Sequence, residues 1–168
     1  PPHAPRREAF EIPTDAFAVL TLADLHSSAA RKNLLGAISI YMQAFPTLSP
    51  PAQRTCLIVK VREDTAHPAF LGQARHAASG RPDIKFLTGD LASDDMHRLI
   101  ASSSLVLSPH RAEGFGRGLA EALQLGLRVI CTGYSGNLDF CHSPEAELVD
   151  YRLVKVGQTQ YPYPKGQY

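Results

Sequence analysis

A chain of 168 residues has room for one well-buried domain and not for two comfortable ones. Hydrophobic residues at 44% beside charged residues at 20% exclude intrinsic disorder and a fibrous repeat, and the balance of 17 Lys and Arg against 16 Asp and Glu excludes a broad electrostatic footprint for nucleic acid or anionic lipid. Three cysteines, Cys56, Cys131 and Cys141, stand at the ends of apolar runs without CxxC spacing, which suggests neither a disulfide framework nor a zinc site and fits a reducing cytosol.

Residues 1–14 open with Pro1-Pro2-His3-Ala4-Pro5-Arg6-Arg7, carry no initiator Met and no apolar leader, and read as a linker at the cut end of something longer. Residues 15–157 read as the folded unit. Its first element is the continuous apolar run Ala16 to Ala23, which suits a strand buried on both faces. Leu34, Ile38, Tyr41, Met42 and Phe45 then form the stripe of an amphipathic helix that ends before Pro46. Thr55 to Val61 is the second strand and Pro68 to Ala78 the second helix. Ile84 to Thr88 is the third strand, after which Ser93-Asp94-Asp95 offers a cap for a helix through Ala101. Ser104 to Ser108 is the fourth strand, Phe115 to Leu125 a helix stopping at Gly126, and Arg128 to Thr132 the fifth strand. The last stretch, 158–168, is a tail rich in Pro, Gly and Tyr that no regular element can use. No apolar stretch approaches the roughly 18 residues of a membrane span, so a soluble chain is expected.

Strands alternating with helices predict an α/β fold, an open parallel Rossmann-like sheet with helices on both faces, whose ligand site lies at the C-terminal edge of the strands. Four strand-to-helix loops carry the polar residues: 24–33, 89–92, 109–118 and 133–139. The third is the densest. Its glycines Gly114, Gly116 and Gly118 let backbone N–H groups approach a ligand closely at a helix N-terminus, which suits an anion. Glu113 lies just before that helix and Glu121 projects from it, so both can face one crevice without touching.

The segment from Ser108 through Glu113-Gly-Phe-Gly-Arg-Gly-Leu-Ala-Glu121 to Ile130 resembles the E-x7-E block of retaining GT-B glycosyltransferases, the glycosyl transferases group 1 family. The resemblance extends back through Ile84 to Gly89 and Arg31-Lys32-Asn33 and forward through Tyr134 to Phe140, covering about residues 16 to 156. It implies the donor-binding half of a GT-B fold, a sheet of about six strands, with an N-terminal acceptor domain of the same protein as its partner. The implied activity is transfer of a sugar, hexosyl in type, from a nucleotide-diphosphate sugar to an acceptor with retention. Glu121 matches the residue that bonds the ribose hydroxyls, and a carboxylate suits a diol because it accepts two bonds. Glu113 matches the residue beside the donor sugar, with the amides of Gly114, Phe115 and Gly116 cradling sugar and diphosphate. Lys32, with Arg31 beside it, matches the basic residue that neutralises the departing diphosphate, so no metal or other cofactor is expected. Gly89 to Leu91 matches the loop that holds the base. The usual Gly-Arg after the first strand is here Ala23-Asp24, and Ser27 or Arg111 is expected to substitute for the missing arginine. A cytoplasmic location is implied, with peripheral attachment to the inner face of a membrane open through the missing domain.

Other readings stand beside this one. The glycine-rich segment could be a tight turn without a ligand, or an imitation of a dinucleotide fingerprint displaced from the first strand where that motif belongs. Asp94-Asp95 imitates a metal-binding DxD, although helix capping explains the pair. Arg31-Lys32 could be a solvated helix start, and His110 either a positioned polar group or a turn residue. The whole could also be a non-catalytic nucleotide-binding or interaction module that kept the fold.

Overall fold

The computed structural model describes residues 4–25, 29–46, 48, 54–62 and 68–156. Six parallel strands, β1 (Phe17–Asp24), β2 (Thr55–Arg62), β3 (Ile84–Thr88), β4 (Leu105–Ser108), β5 (Arg128–Thr132) and β6 (Ala146–Val149), form one open sheet in the order β3-β2-β1-β4-β5-β6. Between them run α1 (Ala29–Lys32), α2 (Leu34–Ala44), α3 (Pro68–Ala77), α4 (Ser93–Ala101) and α5 (Arg117–Gln124). The strand order reverses at β1, which pairs with β2 on one side and β4 on the other. That reversal opens a crevice where the loops after β1 and β4 diverge.

Alternation along the strands divides the core into two layers. Ala18 and Leu20 of β1, Cys56 and Ile58 of β2, Val106 of β4 and Val129 and Cys131 of β5 pack with Leu99, Ile100, Leu119 and Ala122 of α4 and α5. Val19, Leu57, Val59, Val61 and Leu107 face the other way, against Leu34, Ala37, Ile38 and Tyr41 of α2 and Ala74 of α3. Both faces of the sheet are covered, as the continuous apolar runs require.

Three differences from the sequence reading have physical causes. Residues 7–12, expected to belong to a linker, are built into the fold: a 3-10 turn at Arg7–Phe10 delivers Phe10 and Ile12 into the core. Arg7 fixes that turn, its guanidinium donating to the carbonyls of Ser102, Pro13, Thr14 and Ala16 and to Ser104 Oγ. The last long helix begins at Arg117, not Phe115, because Gly116 takes φ +89°, outside the helical region, and holds residues 114–116 out of the helix. The α4 cap is not a side chain, since Ala92 occupies the N-cap; Asp95 instead accepts from Arg98 at 2.8 Å within the helix.

At the opposite end of the sheet from the crevice, Tyr41 donates to Asp83 at 2.8 Å, and Arg81 grips both oxygens of Asp83 at 2.8 and 2.6 Å while its NH1 donates to Phe45 O. Burial works against ionisation of Asp83, but the bonds from Arg81 and Tyr41 outweigh it and hold the carboxyl below its usual value.

Candidate functional site

The C-terminal ends of the strands border an open cleft of about 640 Å³. Its walls come from the ends of β1 and β2, the loop after β3, the first turns of α4 and the loop between β4 and α5.

Arg31 and Lys32 end the short helix α1, and Asn33 breaks the chain direction after them. Asn33 adopts the left-handed conformation (φ 50°, ψ 43°), and its side-chain amide donates to Pro109 O at 2.8 Å. A side chain at Gly36 would collide with Asn33, since a Cβ there would lie 2.6 Å from the amide nitrogen. The backbone of the two loops is joined again where Arg111 N donates to Arg31 O at 2.8 Å. This arrangement sets Lys32 against Glu113: its Nζ lies 2.9 and 3.1 Å from the two carboxylate oxygens. Arg31 NH1 lies 3.3 Å from the same carboxylate and also donates to Ala112 O. Two cations and one carboxylate leave the cluster with a charge of +1 at the mouth of the crevice, the electrostatic requirement for an anionic ligand.

Glu113 is held from behind. Its N–H donates to Ser135 Oγ at 3.1 Å, and its carbonyl accepts from the same hydroxyl at 2.6 Å and from Gly136 N at 3.1 Å. Ser135 takes φ 87° to do so, an uncommon conformation for a residue with a side chain. Gly136 admits no Cβ, because Gly114 O occupies that space. The loop after β5 therefore serves as a backplate for the loop after β4.

His110, fully buried, ties the same loops at a deeper level. Its Nε2 lies 3.1 Å from both Tyr134 O and Asn137 Oδ1, and its Nδ1 lies 3.0 Å from Ser108 O and 3.1 Å from Ser108 Oγ. Asn137 in turn donates to Thr132 O at 3.0 Å. His110 is thus a positioned polar group, and it does not line the cleft. Burial pushes the Cys131 thiol up to about 12, which makes it an inert core group and no nucleophile.

The cleft brings Arg31, Lys32, Glu113, Gly116, Glu121 and Leu91 to one surface. Gly89, Gly114, Phe115 and Arg111 stand outside its lining; Phe115 is exposed and stacks on Phe140 with ring centroids 4.9 Å apart, and the Arg111 side chain is exposed. Ser27 falls outside the described residues. Of the lining residues that were not read from the sequence as site residues, His97 and Lys60 carry chemistry of note. His97 of α4 places Nε2 3.8 Å from the Glu121 carboxylate. Lys60, 3% exposed at the end of β2, donates to Val61 O at 3.3 Å and to Gly89 O. Burial lowers the Lys60 pKa from the usual lysine value, against the opposing charge of Asp90. Lys60 had a visible signal, a lone charge inside the apolar run of β2; His97 had none.

Among the described residues no three His, Cys, Asp or Glu side chains gather in a way that could hold a metal ion, and no helix is long and apolar enough to cross a membrane.

An open parallel sheet with a cleft at its switch point is a Rossmann-like α/β domain of the kind that forms one half of a GT-B fold. The chain belongs to the glycosyl transferases group 1 family, whose model matches residues 31–159. The fold agrees with several solved structures at low identity. The Anabaena protein Alr3699/HepE, determined with UDP and glucose, shares 19% identity at a TM-score of 0.61, over 79% of this chain and 34% of its own. A trehalose-6-phosphate synthase studied for glycosyltransfer with retention shares 10% at 0.67, over 88% and 37%. The C-terminal domain of a glycosyl transferase group 1 family protein (LpcC) from Francisella tularensis shares 15% at 0.64, over 88% and 77%. The chain thus spans about a third of the length of the first two. No curated protein matches it.

Proposed function

We propose that this chain is the donor-binding half of a retaining glycosyltransferase and that its cleft holds a nucleotide-diphosphate sugar. The carrying observation is the +1 cluster of Arg31, Lys32 and Glu113 at the end of the crevice, with Glu121 on the adjoining helix. In this reading Lys32 and Arg31 meet the diphosphate and Glu121 accepts from the ribose hydroxyls. Glu113 lies beside a hexosyl donor sugar, with the backbone at Gly116, which lines the cleft, facing it. The resemblance to a retaining family and the fold shared with a trehalose-6-phosphate synthase studied for glycosyltransfer with retention support that stereochemistry.

The chemistry follows from charge. As the bond from the anomeric carbon to the phosphate oxygen breaks, positive charge grows on the sugar and negative charge on the leaving diphosphate. Glu113 stabilises the first, and Lys32 and Arg31 the second. The acceptor hydroxyl enters on the face the phosphate leaves, forms the new bond to the anomeric carbon and gives its proton to the departing phosphate oxygen. No protein nucleophile is required, and the two basic side chains supply the charge that a divalent cation supplies elsewhere. The acceptor comes from an N-terminal domain of the same protein, since a reaction between two substrates needs both held in register. Three buried free thiols favour the cytoplasm as the compartment.

Calorimetric titration of the chain with UDP, GDP and ADP, with and without EDTA, tests the reading. Binding that survives chelation is expected. Glu121→Ala should weaken it by roughly ten- to a hundredfold, the loss of a pair of bonds to a charged acceptor. Full-strength nucleotide binding by that variant would remove Glu121 from the site.

A further inference from the structure

Lys60 is the cleft residue for which the phosphate-and-sugar chemistry has no use. It continues the Cys56 and Ile58 face of β2, on the side covered by α4 and α5, and emerges where Leu91 and Met96 give the cleft an apolar wall. Its ammonium is bonded to two backbone carbonyls, Val61 O and Gly89 O. Among the described residues no carboxylate stands within ion-pair distance of it: Asp90, its nearest source of opposing charge along the loop, is engaged by Arg62 at 2.7 Å. A buried ammonium held only by neutral acceptors is costly, and its three N–H groups exceed the two carbonyls that take them. The group therefore presents a fixed donor, with no acceptor capacity, into a partly apolar corner two strands away from β4 and Glu113.

A flat heteroaromatic ring fits such a corner when an edge oxygen meets the ammonium. We propose that Lys60 selects the nucleobase, donating its third hydrogen bond to an exocyclic carbonyl oxygen, so that the cleft takes uracil or guanine in preference to adenine. The inference rests on the donor-site reading and deepens it. The selection is asymmetric for a physical reason: an amino group in the carbonyl's place would set N–H against N–H, leaving both buried and unpaired. A site built around a hydrogen bond rejects the ligand that lacks it far more strongly than an apolar pocket rejects a wrong shape.

The test compares UDP, GDP and ADP on the parent chain with two base-edited probes. These are pyrimidin-2-one riboside 5′-diphosphate, which lacks the O4 of UDP and with it the N3 proton, and 2-aminopurine riboside 5′-diphosphate, which lacks the O6 of GDP and with it the N1 proton. The better of UDP and GDP should exceed ADP by roughly ten- to a hundredfold, and its own base-edited partner should lose a similar factor. Lys60→Met, close in length and free of charge, should abolish the difference between the preferred nucleotide and its edited partner and strengthen ADP, whose amino group then meets no opposing N–H. Preference for ADP, equal binding of a nucleotide and its edited partner, or a uniform loss across all ligands in Lys60→Met would overturn the proposal, the last by making Lys60 only a staple for the Gly89 loop. Should Lys60→Met fail to fold, the comparison on the parent chain decides alone. A parent chain that binds no nucleoside diphosphate would overturn the donor-site reading itself; one that binds all three bases alike would leave that reading standing and overturn only this one.

Discussion

Replacing Glu113 by Gln should tighten the binding of a nucleoside diphosphate, although the residue belongs to the site. In the structure, Lys32 pairs with Glu113 at 2.9 Å and Arg31 contributes to the same carboxylate at 3.3 Å. A diphosphate reaching Lys32 must share that cation with a carboxylate that repels it. At a separation of roughly 6 Å and an effective dielectric of about 20 to 40, the repulsion is about 1.4 to 2.8 kcal/mol per unit charge. Allowing for screening by salt, a gain of roughly tenfold in UDP affinity is expected at low ionic strength, shrinking as salt is added. Gln keeps the shape and the backbone bonds to Ser135 and Gly136, so the loop should hold. Calorimetry of the parent and Glu113→Gln at two ionic strengths measures the effect, and donor turnover should fall while binding tightens, because the lost charge served the transition state. Unchanged or weaker UDP binding would refute the argument and show that Lys32 does not meet the phosphates.

Other outcomes follow from the same structure. Lys32→Ala should weaken diphosphates far more than nucleosides, measured by the same titration, since only the former carry the charge it meets; equal losses would make it structural. Asp83 has its pKa depressed in the fold, so it contributes stability that is present above the ordinary carboxylate range and lost as pH falls through the folded value. The thermal midpoint should therefore drop on acidification below about pH 4, and Asp83→Asn should flatten that drop while costing about 3 kcal/mol at neutral pH by stranding Arg81. Arg7→Ala should lower stability by about 2 to 3 kcal/mol, seen as a fall of roughly 5 to 10 °C in melting temperature, because four backbone carbonyls lose their donor.

Apolar runs made the sheet readable: 16–23 and 55–61 are largely buried on two faces, and 84–88, 104–108 and 128–132, though partly exposed, still send apolar side chains into both core layers. β6 escaped that logic. Ala146–Val149 is an edge strand, mostly exposed, whose pairing with β5 is made by backbone bonds that leave no hydrophobic trace. Arg7 likewise looked like part of a charged linker, because its five acceptors come from segments up to 97 residues away, which no local pattern records. At the site, Arg31, Lys32, Glu113 and Glu121 were legible through a motif, whereas the function of Asn33 was not. Its left-handed turn acquires meaning only when Pro109 arrives from another strand to accept its amide proton. The continuous apolar run that betrays β2 also marks Lys60 as anomalous, a lone charge within it.

Asn33 with Pro109, and Arg111 with Arg31, make the loops after β1 and β4 a single mechanical part. Neither loop is then a portable module. Transplanting the glycine-rich segment onto another sheet would carry a carboxylate without the cations that face it. Position 36 is tied to position 33 as well, since the absence of a side chain at Gly36 makes room for the Asn33 amide. Engineering of this surface accordingly has to exchange the two loops as a pair, and natural variation in one should be shadowed by variation in the other.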